Sequence, residues 1–407
     1  MRRTLLLICL IVALVTVAAP PASARAAWKV KIDRLIGRKA MGVAVAEEGR
    51  SLYRHRASVL RTPASNQKLL LSMALLDRLG LEERLTTTAA IRSNALPLGT
   101  YHGRLWLIGR GDPTLAGNST YGTKLPFEPT HLRDLAREVR AMGIERIEGR
   151  VMGGRDYFDH DWWAYGWKAD FPDEEVALPT ALTVNGNMAS NGNHLANPEY
   201  RAAERFTVYL RRAGVEVTRS PSTGVPPIAD LAPIATIESA PLRRIVSYMN
   251  RVSHNFFAET LGKLLGTARY GPLGTIDKGA RAIRRWTSAR GVELNAYDAS
   301  GLSFANRVST LGMVELLGIA EDQVWGAPFR AGLARGGQGT MEDRPLKGIR
   351  VRVKTGTLDG VSTLSGYVFL KDTGTWAEFS IMSRGLAKSR AVEIENQIVR
   401  TIANNAA

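Results

Sequence analysis

The chain has 407 residues, 45% hydrophobic and 23% charged, proportions that suit a protein with a buried core rather than a disordered or fibrous one. Its 54 Lys and Arg against 38 Asp and Glu give a formal charge of +16, and a single cysteine excludes a disulfide framework. The six histidines are scattered with no H-E-x-x-H spacing, so neither a metal site nor a cofactor is expected.

The first 26 residues read as a secretory leader. Arg2 and Arg3 precede an apolar run from Leu5 to Ala19, and the small-residue patterns Ala22-Ser23-Ala24 and Ala24-Arg25-Ala26 follow it. The run is short for a membrane span and ends in helix breakers. Cys9 lies inside it, so the mature chain would carry no thiol. The expected location is outside the cytoplasmic membrane, in the periplasm or at the cell wall. Nucleic acid is then not an expected partner. The positive charge fits electrostatic contact with anionic wall polymers about as well as it fits a simply solvated surface.

Along the mature chain, "MGVAVAEEGRSLYRHRAS" alternates around Glu48-Gly49 and predicts a hairpin. Next comes "RTPASNQKLLLSMALLDRLG", where Leu69, Leu70, Met73, Leu76 and their neighbours recur with helical spacing and Gly80 is a stop. From Thr87 to Ser239 the pieces alternate between strand-like and helical, and the proline-rich "SPSTGVPPIADLAPIATIESAPL" reads as a boundary. Two helices follow, around Leu242–Leu265 and Asp277–Arg290. "VRVKTGT", "TLSGYVFL" and "TWAEFSIMSRG" predict three strands, and a last helix places Val392, Ile394, Ile398, Val399 and Ile402 on one face. The organisation predicted is a leader (1–26) and a domain of 27–86 and 240–407, interrupted by an inserted domain of 87–239. Trp162 and Trp163 are expected in the core or at a domain contact, and Asp112 in a structural turn.

The chemistry rests on three short patterns. Ser65 and Lys68 stand three apart at a helix start, where a cap serine is ordinary but a lysine opposes the helix dipole. Ser253 and Asn255 stand two apart in "RVSHNFFAETL", and Lys354-Thr355-Gly356-Thr357 lies on a predicted strand. An S-x-x-K or an S-x-N is expected roughly once by chance in such a chain, a K-T-G about once in ten such chains. The ordered set is far more specific. A serine is a weak nucleophile and needs a base in reach. Residues i and i+3 share a helix face, so Lys68 can reach Ser65. Burial and a second cation, Lys354, would each push its pKa down. Ser253 would relay the proton to the leaving amine, and Asn255 would donate to Lys68 or to the substrate amide. Lys354 and Thr355 would hold a carboxylate, Gly356 would let a peptide lie along the strand, and the Ser65 and Thr357 amides would form an oxyanion hole.

These motifs resemble those of penicillin-recognising serine acyl-transferases. With "PASNQKLL", "LIGRGDPTL", "PLRRIVSYMNRVSHNFFAETL", "YDASGLSFANRVS" and "VKTGTLDGVSTLSGYV", the chain from about Trp28 onward resembles the DacB-like D-alanyl-D-alanine carboxypeptidase/endopeptidase family, the class C low-molecular-mass penicillin-binding proteins. The resemblance implies an α/β (α+β) fold, with an antiparallel sheet flanked by helices on both faces and interrupted by an inserted α/β domain. It implies peptidoglycan stem peptides as substrates and β-lactam antibiotics as acylating inhibitors. The sequence departs from the family at His254, where aspartate is common, and at Gly154 and Arg155, where acidic residues are usual. A serine β-lactamase or esterase on the same scaffold, and a non-catalytic basic wall-binding protein, are the competing readings.

Overall fold

The computed structural model describes residues 22–93 and 99–405; most of the leader reading falls on residues 1–21, outside them. Helix α1 (Ala22–Ile36) carries Trp28, Ile32 and Ile36 at helical spacing, all buried. Strands β1 (Met41–Glu47) and β2 (Arg50–His55) form the predicted hairpin. Its two turn residues, Glu48 and Gly49, take φ of 49° and 75°, the left-handed pair that matches the twist of the strands. Helix α2 (Gln67–Leu79) ends at Gly80, whose φ of 87° a side chain would resist.

The middle of the chain builds its own sheet. Strands β3 (Thr86–Arg92) and β4 (Arg104–Gly109), helix α3 (Leu132–Ala141), strand β5 (Arg150–Gly154), helix α4 (Pro198–Arg212), and strands β6 (Ser222–Gly224) and β7 (Leu231–Glu238) follow in order. The strands pair as β6-β5-β4-β3-β7. Leu105, Leu107 and Val151 of the strands pack with Leu135, Val139, Phe206 and Leu210 of the helices. The proline-rich passage is not a plain linker: it supplies β6 and β7, both edge strands. Pro233 is tolerated in β7 because it sits beside the register shift between Pro233 and Ala235, on an edge where a missing N–H costs little. The two chain crossings are tied together, Leu85 N donating to Ser239 Oγ and Ser239 N to Leu85 O, each at 2.9 Å.

Helices α5 (Leu242–Val252), α6 (Asn255–Tyr270), α7 (Ile276–Ser288) and α8 (Thr310–Glu321) come next, then strands β8 (Val351–Leu358), β9 (Val361–Phe369) and β10 (Trp376–Arg384) and helix α9 (Lys388–Asn405). The helix expected over 242–265 is in fact two, because Ser253 between them is left-handed at φ 61°, ψ 43°. The main sheet is antiparallel throughout, in the order β8-β9-β10-β1-β2. Alternation along β10 divides its residues between two layers. Ala377, Phe379 and Ile381 face Trp28 and Ile32 of α1 and Ile394 and Ile398 of α9, while Met382 joins the core of α2 and α5 to α8. Helices therefore cover both faces.

One stretch of the middle section leaves its own sheet. Phe158, Trp167, Phe171 and Val176 pack in the helical core with α2 and α6 rather than with β3 to β6. This strap borders the cleft described next. Trp163 is 45% exposed and belongs to neither core, contrary to expectation, whereas Trp162 is half-buried and donates through Nε1 to Val176 O at 2.9 Å.

Candidate active site

Ser65 lies in a single 3₁₀ turn, Ala64–Asn66, that leads into α2. Its hydroxyl does not cap the helix: neither Pro63 nor Asn66, the residues at the two cap positions, makes a side-chain cap bond either. The turn is pressed against the sheet. Thr363 Oγ1 donates to Pro63 O at 2.9 Å, and Asn66 Nδ2 donates to Ser365 Oγ at 2.7 Å. Two glycines make the fit possible. A Cβ on Gly301 would stand 1.9 Å from Ala64 O, and one on Gly356 would stand 2.2 Å from Thr363 Oγ1 and 3.0 Å from Ser65 N. Gly356 is thus required by the protein's own backbone, not only by a peptide alongside. Ala64 takes a φ of 47°, a left-handed conformation that is rare without a glycine and concentrates at functional sites.

Lys68, one turn on, is fully buried, and its Nζ lies 3.1 Å from Ser65 Oγ. The same ammonium donates to Asn255 Oδ1 at 2.8 Å and to Ser300 O at 2.6 Å. Asn255 is therefore an acceptor towards Lys68, not the donor expected; its Nδ2 donates instead to Glu175 of the strap, at 3.2 Å to Oε2. Burial pushes the Lys68 ammonium down to about 8, although Asp298, Glu259 and Glu175 pull it back up. The second lysine is not what lowers it. That repulsion falls on Lys354, which burial and the Lys68 charge together hold well below the ordinary lysine range.

Ser253 ends α5 in its left-handed conformation, so its side chain turns out of the helix towards β8, where Lys354 Nζ donates to Ser253 Oγ at 2.8 Å and to Thr355 O at 2.6 Å. Lys354 is fully buried and has no surface to offer a carboxylate. Beside it, Thr355 Oγ1 donates to Thr340 Oγ1 at 2.8 Å. Strand β8 is an edge of the main sheet. Val353 exchanges both its backbone bonds with Ala334 across that edge, so by the two-residue alternation the N–H groups of Thr355 and Thr357 also point outward. Ser65, Ser253, Asn255, Thr355, Gly356 and Thr357 all line one cleft of about 990 Å³.

Several residues outside the three short patterns also build this cleft. Asp298 accepts from Ser303 N at 2.7 Å, Gly301 N at 3.0 Å, Asn306 Nδ2 at 2.7 Å and Trp167 Nε1 at 2.8 Å. Glu259 accepts from Ser300 N at 2.7 Å. Together they fix the loop whose Ser300 carbonyl holds Lys68. His254 packs at a tilt against Phe257 with ring centroids 4.5 Å apart, and burial and the Lys68 charge push its imidazole down to about 4. It is neutral packing, not a general base. Asp112 accepts from Thr114 N at 2.8 Å and Thr130 Oγ1 at 2.6 Å, a buried structural turn.

A nucleophile-grade serine on a buried lysine, a second serine on a second buried lysine, and an open strand edge beside both, set on an antiparallel sheet between helical layers, are the parts of a penicillin-recognising serine hydrolase. Relatives point the same way. The profile of the D-Ala-D-Ala carboxypeptidase 3 (S13) family matches residues 29–192 and 190–405, and the chain belongs to that family. It is a DacB-like class C penicillin-binding protein and a serine peptidase. The D-alanyl-D-alanine carboxypeptidase of Actinomadura sp. (strain R39) is 27% identical over 456 residues, covering 90% of this chain and 81% of that one. Carboxypeptidase DacB of Mycolicibacterium smegmatis is 29% identical over 345 residues, covering 79% and 71%. The crystal structure of penicillin binding protein 4 (dacB) from Haemophilus influenzae superposes with a TM-score of 0.76 at 18% identity, over 92% of this chain and 99% of that one.

Proposed function

We propose that this protein is a D-Ala-D-Ala carboxypeptidase that works through an acyl-enzyme on Ser65 and takes peptidoglycan stem peptides as substrates. The observation that carries the reading is Lys68 Nζ, buried, 3.1 Å from Ser65 Oγ and lowered to about 8. In its neutral form Lys68 accepts the Ser65 proton as Oγ attacks the carbonyl carbon of the penultimate D-alanine. The oxyanion meets the N–H groups of Ser65 and Thr357. As the C–N bond breaks, the Ser253 hydroxyl passes a proton to the leaving amine and is resupplied by Lys354 at 2.8 Å. D-alanine leaves, and water then cleaves the ester and regenerates Ser65. In this second half-reaction the attacking water gives a proton back to Lys354 through Ser253, while Lys68 returns its proton to Ser65 Oγ. A cross-linked peptide offers the same D,D bond, so endopeptidase action follows from the same cleft. Penicillins, whose strained amide mimics that bond, acylate Ser65 and act as inhibitors.

The leader reading puts the enzyme outside the cytoplasmic membrane, and among the described residues no helix is long and apolar enough to cross one. The formal charge of +16 supports electrostatic contact with anionic wall polymers. Residues 87–239 are proposed as an inserted domain, supported by a core of their own and by the Leu85/Ser239 clamp at their root. The functional test is direct. The mature protein, incubated with a pentapeptide stem and with cross-linked muropeptides, should release D-alanine and monomers. Rapid penicillin hydrolysis with neither peptide cut would make it a β-lactamase, and inertness towards all three would make it a binding protein.

A further inference from the structure

Four lysines surround this cleft: Lys168 is paired with Asp359, and Lys68 and Lys354 are buried inside the protein. Lys68 has its donors on Ser65, Asn255 and Ser300, and Lys354 has donors on Ser253 and Thr355; both are 0% exposed. Neither has surface to offer a ligand. The fourth, Lys388, is the first residue of α9, is exposed, and lines the same cleft. Its Nζ donates to Thr357 Oγ1 at 2.7 Å and to Ser362 Oγ at 2.9 Å, and lies 3.4 Å from Gly356 O.

A cation in a helix's first turn opposes the helix dipole, and α9 has no acidic residue there to offset it. Helix stability does not account for this lysine. The hydrogen-bond directions give it a task. Ser362 Oγ donates its proton to the buried Glu395 at 2.7 Å, so towards Lys388 it can only accept. Glu395 is fixed in turn by buried Arg344 at 2.8 Å. Lys388 is therefore anchored from behind. In front, Thr357 Oγ1 accepts from Lys388, which leaves the Thr357 proton free to point into the cleft. Thr355, the other hydroxyl on this edge, already gives its proton to Thr340.

We propose that Lys388 makes this cleft select substrates with a free C-terminal carboxylate, by orienting the Thr357 hydroxyl as a donor and placing a positive charge one hydrogen bond behind the bound carboxylate. It is a positioning and specificity residue, and Lys354 is left to serve Ser253. The inference rests on the D,D-peptidase reading given above.

The test compares kcat and KM of the wild type, Lys388→Ala, Lys388→Gln and Lys388→Arg on two acyl-D-Ala-D-Ala peptides, one ending in the free acid and one in the carboxamide. The wild type should prefer the acid. Lys388→Ala and Lys388→Gln should lower kcat/KM for the acid about ten- to hundredfold, the range for losing a charge-assisted hydrogen bond, and chiefly through KM. The carboxamide should lose distinctly less than the acid, circular dichroism should show that the variants are folded, and Lys388→Arg should keep most of the preference. Equal loss on both peptides would mean that Lys388 only supports the fold, and an undiminished acid preference would mean that another group reads the carboxylate; either overturns the inference alone. A wild type that cuts neither peptide overturns the D,D-peptidase reading itself, and this inference with it.

Discussion

Lys68 is where a titration becomes a rate. The group must be neutral to take a proton from Ser65, and burial sets its pKa at about 8. Its neutral share grows as pH rises, so acylation should climb between about pH 6 and 9 with an inflection near 8. His254, held near 4, adds no inflection between these limits. Pre-steady-state labelling by a fluorescent penicillin across this range checks both statements; a profile flat through pH 8 would mean that Lys68 is not the base. Lys68→Ala should slow acylation by a factor on the order of 10² or more. Near-normal labelling of that variant would point to a different base.

Among the elements, the break between α5 and α6 is the most informative. Ser253 spends conformational energy at φ 61° to turn its hydroxyl towards Lys354. Ser253→Ala and Ser253→Gly remove the same hydroxyl, but only glycine accepts the left-handed backbone freely. Both should lose most activity, while the glycine variant should be more stable than the alanine one by about 1 kcal/mol, measured by denaturant unfolding. Equal stability would mean that the conformation is not strained. This break also marks where sequence reading stops. The hairpin at Glu48-Gly49, the last three strands and the apolar stripe of α9 were legible because each is set by residues adjacent in the chain. The spacing of Ser65 and Lys68 was legible for the same reason. The left-handed Ser253 was not, because its backbone is imposed by the packing of two helices. Glu175 and Lys388 were missed because they reach the cleft from far along the chain and belong to no local pattern; Asp298 and Ser300 stand in the quoted stretch "YDASGLSFANRVS", but their hold on Lys68 is made only by the fold. The two strands within the proline-rich passage were not legible because Pro233 looks like a breaker until its edge position is known.

At the scale of the whole molecule, the cleft exists only once distant segments meet: the turn before α2, the α5–α6 break, strand β8 and the strap from the middle section. The Leu85/Ser239 pair is one of the contacts that root the middle section, beside the strap. Ser239→Ala removes the acceptor for Leu85 N and should cost about 1 kcal/mol while speeding tryptic cutting at Arg84 and Arg243, followed by gel electrophoresis. Unchanged cutting would show that the root is held elsewhere. One covalent bond tests the acyl-enzyme mechanism most directly. The purified mature protein, exposed to a labelled penicillin, digested with trypsin and mapped by mass spectrometry, should carry the adduct on the peptide Thr62–Lys68, at Ser65, and Ser65→Ala should carry none while remaining folded. An adduct on Ser253 or on any other residue, or undiminished labelling of Ser65→Ala, would contradict it.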